Sequence, residues 1–74
     1  MARLPRVTAR ETVRKLERDG WYSARQTGGH THFHHPTKRG TVTVPMHGNR
    51  VLIAPVLSSI LRQAGLSVEE FSAP

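Results

Sequence analysis

The apolar residues of this chain change period twice, and that change limits the fold more than any other feature. Ala9, Val13 and Leu16 fall at i, i+4 and i+7, one stripe of an amphipathic helix. Residues 21–44 instead carry short runs of Thr, Val and aromatic side chains, the composition of strands. Val56, Leu57, Ile60, Leu61 and Ala64 then restore the helical spacing. Each helix has one apolar stripe and needs a partner, and a small sheet can serve both. The pattern predicts an α+β chain ordered α-β-β-β-α, with a three-stranded antiparallel sheet and two helices on one face.

The boundaries are marked by local chemistry. Thr8-Ala9-Arg10-Glu11 fits a capping box, and Gly20 suits a left-handed stop, so the first helix spans about 9–19. Trp21 to Gln26 reads as a strand closed by Thr27-Gly28-Gly29, and His30 to His35 as a second one stopped by Pro36. Residues 37–40 are turn chemistry, and Thr41 to Val44 is a third strand ending at Pro45. Residues 46–50 read as a loop and Val51 to Ile53 as a short extended piece. Pro55 suits the first turn of the second helix, which Gly65 ends. Ser67-Val68-Glu69-Glu70 repeats the capping-box pattern and predicts a last short turn carrying Phe71.

Seventy-four residues allow one domain over 1–74 and a thin stability margin. The absence of cysteine removes disulfides, thiolate metal sites and thiol nucleophiles together. No run approaches the ~18 apolar residues of a membrane span, and the basic first ten residues hold no signal-peptide core. These features point to a soluble, cytoplasmic protein.

Charge narrows the partner. Eleven Lys and Arg face five Asp and Glu, and nine of the eleven are arginine, whose planar fork grips phosphate. Residues 1–50 hold ten bases against three acids, whereas residues 51–74 hold only Arg62 against Glu69 and Glu70. Such a footprint favours a polyanion, nucleic acid first and an acidic protein second.

Alternation along the second strand sends Thr31, Phe33 and His35 one way and His30, His32 and His34 the other. Phe33 should face the helices with Val42 and Val44, leaving three histidines on the open face beside Thr41 and Thr43. Three readings compete for these histidines and His47. Alternate histidines can chelate zinc, but few acids and a cationic setting oppose a metal site. Imidazole also suits proton transfer on a phosphate chain. For His32, His34 and His35 the plain reading, a tolerated surface residue, is favoured. His30 differs, because it follows Gly28-Gly29, where bare backbone lets a phosphate approach closely.

The surrounding residues add a resemblance. The string Gly20-Trp21, Arg25-Gln26, Gly28-Gly29-His30, Phe33-His34-His35-Pro36, Thr41 to Pro45, His47 and Ser59 to Leu66 resembles the HicA (YcfA-like) mRNA interferase toxins, over roughly residues 8–71. The resemblance implies a fold like that of double-stranded-RNA-binding domains, metal-free cleavage of mRNA without a cofactor, and a HicB-type antitoxin partner. By position the family's Gly-Ser-His motif falls on Gly28, Gly29 and His30, which makes His30 the catalytic histidine. The chain departs from the pattern at Gly29, where serine is usual, and at Ala54-Pro55, where Gly-Thr is more common.

Metal-free histidine chemistry on RNA would run through the 2′-OH, giving a 2′,3′-cyclic phosphate and a free 5′-OH. Arg25 is the candidate phosphate clamp, with Lys38 and Arg39 as further candidate phosphate contacts. His47 reads equally as a second proton carrier or a loop histidine, and Trp21 as a base-stacking residue or as core. Two rival functions remain at this stage: a non-catalytic RNA-binding module and a small subunit that docks an acidic protein.

Overall fold

The computed structural model describes residues 3–74, so residues 1 and 2 of the expected domain lie outside it. Helix α1 (Ala9–Arg18) begins at the expected capping box. The Thr8 hydroxyl accepts from the Glu11 amide at 3.1 Å, and the Glu11 carboxylate accepts from the Thr8 amide at 2.9 Å. Two of the orphan donors at the helix start are thereby satisfied. Ala9 and Leu16 are buried and Val13 half-buried. Thr12, absent from the apolar stripe, is fully buried beside them. Its hydroxyl donates back to the Thr8 carbonyl at 2.9 Å, and its methyl group then packs as an apolar residue.

The three strands are β1 (Tyr22–Thr27), β2 (His30–His34) and β3 (Val42–Pro45), antiparallel and in the order β1-β2-β3. Each differs from its expected bounds by a residue. Trp21 is not a strand residue: it turns inward, 2% exposed, and its amide donates to the Leu16 carbonyl at 3.0 Å. Its indole is therefore core, and base stacking falls away. Phe33, Val42 and Val44 share one sheet face and one apolar cluster with Leu16, Leu57 and Ile60. Both long helices thus cover the same face, as the paired stripes require.

Helix α2 (Ala54–Ala64) starts with no side-chain cap, Pro55 supplying the preset backbone, and ends at Gly65 in the left-handed region, φ +68°. Gln63 on this helix accepts from the Thr43 amide at 2.9 Å, which covers the outer edge of β3. The segment before α2 is extended as expected, with Val51 bridging Thr8 and the Leu52 amide donating to Val7 at 2.8 Å. Helix α3 (Val68–Ser72) opens with the second capping box and buries Phe71, over whose ring the Lys15 ammonium stands at 5.4 Å.

One polar cluster joins these elements. Asp19, which caps α1, accepts from the Trp21 indole at 3.1 Å and from the Lys38 ammonium at 2.6 Å. Lys38 also donates to the Ala64 carbonyl at 3.1 Å, near the end of α2. The Asp19 carbonyl accepts from His35 Nε2 at 2.6 Å, while His35 Nδ1 accepts from the Thr37 and Lys38 amides, both at 3.1 Å. These partners set the tautomer of His35, whose ring also meets Trp21 edge-on at 5.1 Å. The reading of His35 as a tolerated surface residue is thus corrected: Nε2 joins the exit of β2 to the end of α1, and Nδ1 holds the start of the β2–β3 connection.

Two predictions follow from this packing. A Cβ on Gly20 would lie 2.6 Å from His35 Nε2, at a backbone φ of +104° that side chains rarely adopt. Gly20→Ala should cost about 1–3 kcal/mol in chemical denaturation. Glu11 and Glu70 have carboxyl pKa values lowered from 4.5, first by the amide each accepts from, Thr8 or Ser67, and then by that residue's hydroxyl. A lowered folded value means the stabilisation is complete above the unfolded value and lost as pH falls through the folded one. The denaturation midpoint should therefore decline on acidifying below about pH 4.5, and Glu11→Gln with Glu70→Gln, which keep an acceptor oxygen, should flatten that decline.

Candidate active site

The site is built on the β1–β2 hairpin. Thr27 pairs with His30, leaving Gly28 and Gly29 as a two-residue turn. Gly28 has φ +57°, whereas Gly29 is not in the left-handed region, the sign pattern of a type II′ hairpin. Gly28 therefore needs to be glycine. Gly29 does not, since its φ is ordinary and a Cβ there would meet nothing within 4 Å.

The Gly29 carbonyl accepts from the Met46 amide at 2.6 Å, which ties the turn to the chain leaving β3. With that ladder bond on one side, His30 and Pro45 form a non-hydrogen-bonded pair, the kind in which facing side chains lie closest. Pro45 costs the sheet nothing there, because its missing N–H would point to the outer edge.

His30 is exposed on the sheet face away from the helices. It opens onto a cleft of about 450 Å³ lined by Pro45, His47, Arg50, Val51, Leu52, Ile53 and Val56. The Arg50 amide donates to the His47 carbonyl at 3.3 Å, and Gly48 between them has φ +61°. That turn sets His47 and Arg50 at the same rim. Sequence reasoning had passed over Arg50, a lone base in a loop. The turn signal Gly48-Asn49 beside His47 was the available clue.

Arg25 reaches the same face through an irregularity. The register runs Ser23 opposite Phe33 and then Arg25 opposite His32, so Ala24 is an extra residue, a β-bulge. Simple alternation from Tyr22 would have placed Arg25 on the helix side; the bulge reverses its parity. Arg25 becomes a diagonal neighbour of His30, a spacing of about 7–8 Å between positions, within reach of an arginine.

The other histidines have different surroundings. His32 lies between two hydroxyls, Thr27 at 2.7 Å from Nε2 and Thr43 at 3.0 Å from Nδ1, and so straps all three strands together. It is half-buried and structural, where a surface residue was expected. His34 is exposed and meets the Tyr22 ring edge-on at 6.4 Å. Among the described residues no three of His, Asp and Glu converge as metal ligands would.

Lys38 and Arg39 are not brought to His30. The β2–β3 connection leaves the opposite end of the sheet, about 13 Å away along β2. Lys38 is moreover held by Asp19 and the Ala64 carbonyl, while Arg39 is exposed at that far turn. Of the expected phosphate contacts, the structure gathers Arg25, Gly28, Gly29 and His47 around His30 and leaves these two outside.

The family model for the HicA toxin of bacterial toxin–antitoxin pairs matches residues 9–66, from the first turn of α1 to just past α2. This chain belongs to the HicA toxin family. No curated protein matches it. As a HicA toxin it has a cognate antitoxin as its expected partner, and the three-stranded sheet with both helices on one face is the architecture anticipated for it. No helix among its described residues is long and apolar enough to cross a membrane.

The toxin's departure from the usual serine can be tested directly. Gly29→Ser should leave the thermal midpoint nearly unchanged, because neither backbone nor space demands glycine. Gly28→Ser, forced to hold φ +57°, should lose about 1 kcal/mol or more, measured by denaturant unfolding.

Proposed function

We propose that this toxin is a metal-independent mRNA interferase acting in the cytoplasm, an endoribonuclease whose catalytic group is the His30 imidazole. The observation that carries the reading is the placement of His30: exposed beside a bare two-glycine turn, on the cleft rim shared with His47 and Arg50, and diagonal to Arg25. A phosphate lying over Gly28 and Gly29 meets no side chain. Cations on two sides can then offset the charge that grows on it.

In the proposed reaction an imidazole takes the proton of the ribose 2′-OH. The freed oxygen attacks the adjacent phosphorus, and the bond to the 5′-oxygen breaks. The products are a 2′,3′-cyclic phosphate and a 5′-oxygen that leaves with a proton from an acid. His30 acts as one of these two groups, and His47 at the same rim is the candidate for the other. Arg25 and Arg50 hold the phosphate and stabilise its extra charge in the transition state. No step needs a cofactor.

A HicB-type antitoxin is proposed to bind the open sheet face and cover His30. The ten bases of residues 1–50 would steer an acidic partner there. A 74-residue fold also gains stability from a ligand that binds only its native form.

The test is incubation of the purified protein with a defined RNA in excess EDTA. Wild type should cleave, and His30→Ala should lose about 10²–10⁴-fold in rate. The variant's melting and salt-sensitive RNA binding should persist, because the exposed His30 fills no core space. His34→Ala is the control on the same face and should retain substantial cleavage. His32→Ala is a poorer control, since it removes the strap between Thr27 and Thr43. A folded His30→Ala protein cleaving at the wild-type rate would sink the mechanism. RNA retention with no cleavage by wild type would leave a binding module.

A further inference from the structure

We propose that the cleft beside His30 is a nucleobase subsite: it seats the flat face of one base of the bound strand while Arg50 holds the adjoining phosphate. The inference rests on the nuclease reading only in placing that phosphate at His30. The subsite itself is argued from the cleft.

At about 450 Å³ the cleft falls among small-ligand sites, which run from about 300 to 1,000 Å³ and are mostly apolar with a few placed polar groups. Its composition divides the same way. Pro45, Ile53 and Val56 give it apolar walls, and its polar groups are His30, His47 and Arg50. Ile53 is 66% exposed and Val51 44%, although both adjoin a core that could have taken apolar side chains. Ile53 in particular leaves most of its side chain uncovered by the fold.

A nucleotide matches both halves of this surface at once. Its phosphate is anionic and its base presents a flat, weakly polar face. A bare phosphate would leave the apolar walls uncovered, and an uncharged apolar ligand would leave Arg50 unmatched. The location agrees, since the Pro45 ring stands at the position paired with His30, so a base lying on it is one nucleotide from a phosphate at the imidazole. The Gly29–Met46 bond at 2.6 Å holds cleft and turn in one frame. The lining supplies no Asn, Gln, Asp or Glu side chain to read a base edge. With Arg50 engaged on the phosphate, the subsite grips the face of a base.

The probe is thymidine 3′,5′-bisphosphate, which lacks a 2′-OH and cannot be cleaved by this chemistry. Its abasic deoxyribose counterpart is the control. Both are titrated into the full ¹⁵N-labelled chain. The base-bearing probe should bind about fivefold tighter, as expected if the base covers about 40 Å² of apolar wall at about 25 cal/mol per Å², and shift the Leu52 and Ile53 amides. Ile53→Ser, at a mostly exposed position that opens no core cavity, should erase the difference and leave abasic affinity unchanged. Arg50→Ala should weaken both probes alike.

Equal binding of the two probes overturns the subsite, as does a failure of the base-bearing probe to bind. Shifts at Leu52 and Ile53 that follow protein concentration alone would make this a contact with a second copy, and shifts produced only by the antitoxin would make it a protein-docking surface. Either result overturns the proposal. The two readings fail separately: base-dependent binding without RNA cleavage sinks the nuclease alone, and cleavage without base-dependent binding sinks the subsite alone.

Discussion

Asp19 holds the tertiary structure together. One carboxylate oxygen takes the Trp21 indole and the Lys38 ammonium, and the backbone carbonyl of the same residue takes His35. Through these contacts the end of α1, the entry to β1, the exit of β2 and the end of α2 meet at one residue. The ion pair with Lys38 is about one-third exposed on each side, so its charge attraction alone contributes little. Its weight lies in geometry. It closes a hydrogen-bonded cluster in which every buried side-chain polar atom among the described residues is satisfied. Gly20 belongs to the same constraint, since only a residue without Cβ lets the His35 ring reach the Asp19 carbonyl.

That anchor lies at the opposite end of the sheet from His30. The cluster lies beyond the His34 end of β2, and His30 begins the strand at the other end. The His30 end has few obligations to the fold. Its turn is bare, its rim residues are exposed, and its link to the body is the Met46 amide on Gly29 with the short Val51 segment behind it. His32 stands between the two ends and, with hydroxyls on both ring nitrogens, holds the three strands in register. The histidines of β2 and its exit thus divide: His30 is the candidate for reaction, His32 a strap and His35 an anchor.

The charge of this small toxin is carried apart from its packing. The exposed bases Arg10, Arg14 and Arg18 lie on α1, outside the core, where they add positive field without disturbing packing. The last third of the chain supplies apolar stripes and the acids of the second capping box. The positive field therefore comes from exposed side chains of residues 1–50, whereas the core draws on both parts of the chain.

Much of this architecture was legible in the residues themselves. Capping boxes, glycine stops and strand alternation are local, because each is satisfied within about four residues, and so both helices and the histidine face could be read directly. Thr12 escaped because its burial depends on its own bond to the Thr8 carbonyl, and His35 because its partners lie 16 residues back and two to three ahead. Membership of the toxin family was legible in the glycine-glycine-histidine string and its neighbours, and the match over residues 9–66 bears it out. The sequence by itself determined the element order, the caps and the sidedness of β2, since these follow from short-range sterics and period. Only the tertiary structure decided that a bulge at Ala24 turns Arg25 toward His30, that Lys38 is held at Asp19, and that Arg50 joins His47 at the cleft. Those outcomes depend on register and long-range contact, and a one-residue slip in pairing, invisible along the chain, reverses which face a side chain joins.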